Sequence, residues 1–181
     1  MQMASHTAPR VVLTGPPGAG KSTIARLLGE ALELPVRDTD TDVESVAGKS
    51  ITDIFVDDGE QHFRELEAQA VATALREHTG VLALGGGAIM DPQTQELLME
   101  YTASGGTVVF LDVSLAAAAP RIGFNQARPL LLGNPRAQWK KLMDTRRPLY
   151  ERVANAHVVT DHRTPGEVAG DIVSLVKASG L

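Results

Sequence analysis

Cysteine is absent from this sequence, which removes disulfides, thiolate metal ligands and thiol nucleophiles together. Any bound metal must then be held by oxygen or imidazole. The absence agrees with a reducing compartment, and a cytoplasmic location is the expectation. The chain also lacks an apolar run long enough to span a bilayer. Its opening stretch, MQMASHTAPR, has no apolar core of the secretory kind and reads as a short disordered lead-in. Basic residues do not dominate. A formal net charge of −5 argues against a nucleic-acid backbone as the main partner. Internal repeats, low-complexity tracts and interdomain linkers are missing, so 181 residues with 43% apolar content read as one domain, 1–181, with a sizeable core. His162 reads as a surface residue, and the other four histidines have no metal-ligand spacing.

Apolar strands and amphipathic helices alternate along the chain. RVVLTG is a β-branched run meeting a glycine turn, and from Lys21 the residues Ile24, Leu27, Leu28, Ala31 and Leu32 recur at helical spacing. PVRD is a short second strand. Helical patterning then runs through residues 39–80, broken at Gly48 and Gly59. GVLAL, GTVVFLDVS and HVVT are further strands; DPQTQELLMEYTAS and TPGEVAGDIVSLVKAS are helices, the latter with Pro165 in its first turn. RAQWKKLMDTRRPLYERVA is an amphipathic helix that Pro148 should bend or divide. RIGFNQARPLLLGNP has no period and is rich in turn residues, which suits a mobile loop. Strands alternating with helices imply an α/β architecture: a parallel sheet covered on both faces. Ligands then sit at the carboxyl ends of the strands.

The segment GPPGAGKST matches G-x-x-x-x-G-K-[ST] through Gly15, Gly20, Lys21 and Ser22, with a strand before it and a helix after it. Gly15, Gly18, Ala19 and Gly20 let successive backbone N–H groups turn toward one anion, Lys21 reaches the outer phosphates, and Ser22, followed by Thr23, offers a hydroxyl to Mg²⁺. The pattern in its required context points to a nucleoside triphosphate. A glycine-rich turn without chemical use is the competing reading.

Two places supply a metal-managing carboxylate. Asp112 ends an apolar strand, the position that holds Mg²⁺ in many nucleotide triphosphatases. Capping of the helix beginning LAAAAPR explains it without a metal. Asp38 and Asp40, in RDTDTD, alternate at a strand end and can point in different directions, one to the metal and one to the acceptor. A solvated turn that caps the next helix is their competing role. Arg64 and Arg146 are forks that suit a carboxylate, although either could sit on a solvated helix face. Glu67 lies one turn beyond Arg64, close enough to hold it. Gly85, Gly86 and Gly87 at a strand end permit close backbone approach to a ligand; an ordinary tight turn is the alternative.

The motifs GPPGAGKST, DTD, DGEQHFRELE, LGGGAI, ARPLL and RRPLYERVA, in this order and spacing over nearly the whole chain, resemble the shikimate kinase family. The resemblance implies a three-layer P-loop kinase fold with five parallel strands in the order 2-3-1-4-5, a substrate-binding region near 39–75 and a lid near 123–136. It implies transfer of the ATP γ-phosphoryl to the 3-hydroxyl of shikimate, a step of chorismate and aromatic amino acid biosynthesis, by a monomer. By motif position, Arg64 and Arg146 match the carboxylate-binding arginines, Gly85 to Gly87 the pocket wall, Arg128 the lid arginine and Asp38 a water-mediated Mg²⁺ contact. Asp40 matches the residue that meets the acceptor hydroxyls and is expected to act with Lys21 and Arg128 in catalysis. Arg121 is a weaker phosphate candidate, Arg163 matches the segment beside the adenine, and Arg147 is ambiguous beside Arg146. Two positions depart from the pattern: Ala83 stands where a hydroxyl or acidic residue is common, and Phe124 lies in the lid. A gluconate kinase shares the phosphate loop, and a switch ATPase transferring phosphate to water is a rival from another class.

Overall fold

The computed structural model describes residues 7–123 and 133–180. The strands are β1 (Val11–Thr14), β2 (Val36–Asp38), β3 (Val81–Ala83), β4 (Val108–Asp112) and β5 (Ala156–Val159). The helices are α1 (Lys21–Leu32), α2 (Thr39–Ala47), α3 (Ile51–Asp57), α4 (Glu60–Glu77), α5 (Pro92–Ala103), α6 (Leu115–Ile122), α7 (Pro135–Val153) and α8 (Pro165–Ala178), with a 3-10 turn at Ala88–Met90. All strand pairs are parallel and the order is β2-β3-β1-β4-β5, as the resemblance implies. Residues 124–132, which contain Phe124 and the expected lid arginine Arg128, lie outside the described residues, as do residues 1–6 of the expected lead-in.

β1, β3 and β4 are buried at every position, which requires cover on both sheet faces and explains why they read as continuous apolar runs. One helix group is α1 packed on α8; the other is formed by α4, α5 and α7. The helices start where side chains can meet the orphan first-turn amides. Ser50 caps α3, Asp91 caps α5 ahead of Pro92, and Thr164 forms a reciprocal capping box with Glu167 ahead of Pro165. A small second cluster of Val43, Ile54 and Phe63 joins α2, α3 and α4. Because every strand runs the same way, the loops after all five leave from one edge.

Three expectations are corrected. Pro148 does not divide α7, which runs unbroken from Pro135 to Val153. The carbonyl that its missing N–H frees belongs to Asp144, an exposed residue, while Met143, Tyr150 and Val153 on either side are buried in one core and hold the helix together. Pro9 and Arg10, assigned to a disordered lead-in, are tied down. Tyr101 donates its hydroxyl to the Pro9 carbonyl at 2.7 Å and the Arg10 amide donates to the Gly80 carbonyl at 2.9 Å. Asp112 does not cap α6, because Ser114 does, accepting from the Ala117 amide.

The Asp112 carboxylate instead accepts both arms of the Arg147 guanidinium, at 2.7 and 2.8 Å, and stands 2.9 Å from His157 Nε2. Burial alone would raise this carboxyl; the hydrogen bonds and charge of Arg147, with those of His157, outweigh it and lower its pKa below the usual 3.8. The contact therefore stabilises the fold above about pH 3.8 and loses that contribution as the pH falls through the depressed value. Arg147→Ala should cost about 1–2 kcal/mol at pH 7, the partly exposed guanidinium being screened by solvent. In urea unfolding, the gap between wild type and variant should shrink at pH 3. An equal gap at both pH values would assign the loss to packing of the arginine stem.

Candidate active site

The first loop at the carboxyl edge joins β1 to α1. Gly20 sits in the left-handed region at φ +89° and gives α1 no side-chain cap, so the first-turn amides of the helix are left for an anion, with the helix dipole behind them. Lys21 Nζ lies over the loop, donating to the Gly15 carbonyl at 2.7 Å and the Pro16 carbonyl at 3.1 Å. The loop is also held from outside. Arg121 donates to the Gly18 carbonyl at 3.2 Å and Trp139 Nε1 donates to the Pro17 carbonyl at 2.9 Å. A methyl on Gly18 would come within 3.0 Å of Ile122 and Ala118, so α6 packs directly on the loop.

In front of the loop lies a cleft of about 590 Å³, whose walls include Gly18 to Thr23, Asp38, Asp40, Gly86, Arg121 and Arg163. Ser22 Oγ donates to Asp38 Oδ2 at 3.2 Å, and Asp38 Oδ1 accepts the Asp40 amide at 2.8 Å. Asp38 thus caps α2, as its competing role expects, and at the same time faces Ser22. These hard oxygens fit Mg²⁺. Among the described residues no group of three His, Asp or Glu could hold a metal unaided, and a partial oxygen set completed by phosphates and water is how Mg²⁺ is bound beside a nucleotide. Ala83 ends β3 opposite Asp38 in the sheet register, and it brings no polar atom there.

The other side of the cleft is built by α2, α4, α7 and the glycine turn after β3. Thr39 Oγ1, fully buried, accepts the Gly85 amide at 3.1 Å and draws the turn toward α2. A methyl on Gly85 would sit 2.6 Å from Asp40 Oδ1 and 2.8 Å from Glu67 Oε2; one on Gly87 would collide with the Arg64 guanidinium. Arg64 Nη1 donates to Glu67 at 2.7 Å, while its Nε is buried without a partner. Arg146, 4% exposed, directs Nη1 toward Gly86. The structure therefore gathers Asp40, Arg64, Gly85 to Gly87 and Arg146, and it removes the ambiguity of Arg147, which faces Asp112. Arg163 borders the cleft in front of the phosphate loop, with its guanidinium 2.6 Å from Asp171.

Sequence reasoning overlooks Thr39, Trp139, Tyr150 and Thr160, which shape the site through backbone atoms. Tyr150 donates its hydroxyl to the Gly86 carbonyl at 2.5 Å, and Thr160 takes Arg121 Nη1 at 3.1 Å. Only Thr39, between the two aspartates of DTD, carries a signal a reader could have found.

Similarity to known proteins agrees with this geometry. A model of the shikimate kinase family matches residues 17–177. The chain belongs to the shikimate kinase family. It is 54% identical to a shikimate kinase of Streptomyces coelicolor over 175 residues, 95% of this chain and 99% of that one. Identity to a shikimate kinase of Salinispora arenicola is 53% over 171 residues, covering 94% and 99%. A solved shikimate kinase from Acinetobacter baumannii in complex with shikimate superposes with a TM-score of 0.88 at 32% identity, covering 97% and 96%.

The shikimate kinase site concentrates negative charge. Burial, then Asp38 and Glu67, push Asp40 up to about 6 against the opposing pull of Lys21; burial also raises Glu67, with Arg64 opposing. A carboxyl whose folded value exceeds its unfolded one costs nothing below pH 3.8, and the cost grows to its full size above about pH 6. Asp40→Asn should stabilise the ligand-free protein by about 1–3 kcal/mol at pH 8. Melting temperatures at pH 8 and pH 4 test this, since the stabilisation should vanish at pH 4. A variant no more stable at pH 8 would show that the carboxylate is not strained.

Proposed function

We infer that this chain transfers the γ-phosphoryl group of ATP to the 3-hydroxyl of shikimate, giving ADP and shikimate 3-phosphate. The observation that carries the reading is the pairing of two guanidinium groups, Arg64 and Arg146, with the Asp40 carboxylate around a glycine turn that borders the phosphate loop. A cyclic triol carboxylate needs cations at one end and acceptors at the other. The buried, unpartnered Nε of Arg64 is a donor whose desolvation a ligand carboxylate would offset.

In the transfer, the bond between Pγ and the β–γ bridging oxygen breaks as the shikimate 3-oxygen bonds to Pγ, and the hydroxyl proton leaves. Asp40 accepts the hydrogen bond of that hydroxyl and orients it. Its raised proton affinity, near 6, makes it a competent acceptor of the proton near neutral pH, although a loose transition state asks little of a base. Loop amides and Lys21 cradle the phosphates; Arg121 and Arg163 flank the rest of the nucleotide. Ser22 directly, and Asp38 through water, would hold Mg²⁺, which neutralises phosphate charge when bound. Arg128, in the segment assigned as the lid, would reach the phosphates. We also propose that the enzyme acts as a monomer in the cytoplasm. Among the described residues no helix is long and apolar enough to cross a membrane.

ADP release from Mg·ATP should depend strongly on shikimate and ignore gluconate. Arg64→Ala and Arg146→Ala should each raise the shikimate KM by about 30-fold or more and the ATP KM far less. Turnover indifferent to shikimate would overturn the acceptor and favour a hydrolase; turnover on gluconate would favour the related kinase. Gly87→Ala supplies a milder probe. The nearest atoms to the new methyl are those of the Arg64 guanidinium, the far end of a long side chain and not backbone, so the fold should survive while the shikimate KM rises about tenfold. A wild-type KM in this variant would remove Arg64 from the carboxylate site.

A further inference from the structure

Helix α7 touches both reactant loops through side chains that no part of the proposed chemistry uses. Its buried residues are Trp139, Met143, Arg146, Tyr150 and Val153, spaced alternately by four and three, so they share one face. Trp139 and Tyr150 stand three turns apart on that stripe, about 16 Å along the axis. Each donates one hydrogen bond to a main-chain carbonyl in a loop: Trp139 to Pro17 at 2.9 Å and Tyr150 to Gly86 at 2.5 Å. Both rings are essentially buried, at 2% and 0% exposure. The Tyr150 hydroxyl also hydrogen-bonds Arg146 on the same helix face, and its ring is clamped by a stack on Phe110, centroids 5.1 Å apart.

The two loops also meet each other. A methyl on Gly86 would lie 3.4 Å from both Pro17 Cδ and the Gly15 carbonyl oxygen. A displacement of either loop therefore changes the separation of donor and acceptor. Burial pushes the Tyr150 hydroxyl up to about 12, so it remains a donor throughout the working pH range.

We propose that Trp139 and Tyr150 are paired positioning residues, Trp139 fixing the phosphate loop and Tyr150 the acceptor turn, so that α7 sets the gap across which the phosphoryl group passes. The proposal rests on the kinase reading given above. It assigns each residue to one substrate, which a merely structural role would not do.

The test compares Trp139→Phe with Tyr150→Phe, each of which keeps a ring and deletes the donor. Trp139→Phe should raise the ATP KM about three- to tenfold and leave the shikimate KM within twofold; Tyr150→Phe should do the reverse. Because Trp139 is the only tryptophan, its emission should shift when ADP is added to the wild-type enzyme without shikimate. Equal changes in both KM values, unchanged KM values, or emission indifferent to ADP would each overturn the proposal. Melting curves identify a variant that fails to fold, and in that case the emission titration of the wild type decides alone for Trp139. A wild type that turns over ATP without regard to shikimate would defeat the kinase assignment, while the ADP titration would still judge the tryptophan.

Discussion

Adjacent parallel strands lie about 4.8 Å apart, and the whole site depends on β1 and β3 being such neighbours. Their carboxyl ends release the phosphate loop and the glycine turn side by side, so the two reactant sites proposed above are made neighbours by the sheet itself. This is proximity supplied by fold, before any side chain acts. It also dictates the glycines. Where Gly85 and Gly87 stand, a Cβ would intrude on Asp40, Glu67 or Arg64, so the space a side chain would take is given to the charged groups around the pocket.

Those charged groups are not at ease. Asp38, Asp40 and Glu67 crowd one end of the cleft, and burial makes their mutual repulsion harder to screen. Arg64 relieves Glu67 at 2.7 Å, and Lys21 partly relieves Asp40. The remaining tension is of the kind bound ligands can relax: hydroxyl donors for Asp40, a cation between Ser22 and Asp38, a carboxylate for the arginines. An arrangement that costs stability when empty is already shaped for what it binds, which is the usual relation between strain and function.

Much of this was legible in the sequence, for a definite reason. The phosphate loop, the DTD pair and the glycine turn are contiguous motifs at strand ends, and periodicity located the strands. The strand order came from the family resemblance, since local pattern does not specify which strands pair. What escaped reading were contacts between distant positions. Asp112 has the local signature of a cap or a metal ligand, and nothing near it announces Arg147, 35 residues on, or His157, 45 residues on. Trp139 looks like any core aromatic until the fold brings Pro17, 122 residues away, to its N–H. Pro148 misleads for a related reason: local chemistry says break, and tertiary burial on both sides of it overrules.

Arg146 and Arg147 show how the fold and the site share one element. Consecutive residues on a helix diverge by about 100°, so the two guanidinium groups face different surroundings: Arg146 the glycine turn, Arg147 the end of β4. Sliding α7 by one residue would put Arg146 before Asp112 and Thr145 before the glycine turn, or Arg147 before the turn and Pro148 before Asp112, so one of the two positions always loses its guanidinium. The bidentate grip on Asp112 is therefore more than a modest surface contribution to stability. Only the observed register of α7 gives a guanidinium to both the buried Asp112 carboxylate and the glycine turn, and the same register aims Arg146, Trp139 and Tyr150 at the two loops. Pro135 and the Asn134 cap fix where the helix begins, and Asp112 fixes how it is turned, so the reactive geometry follows from contacts that never touch a reactant.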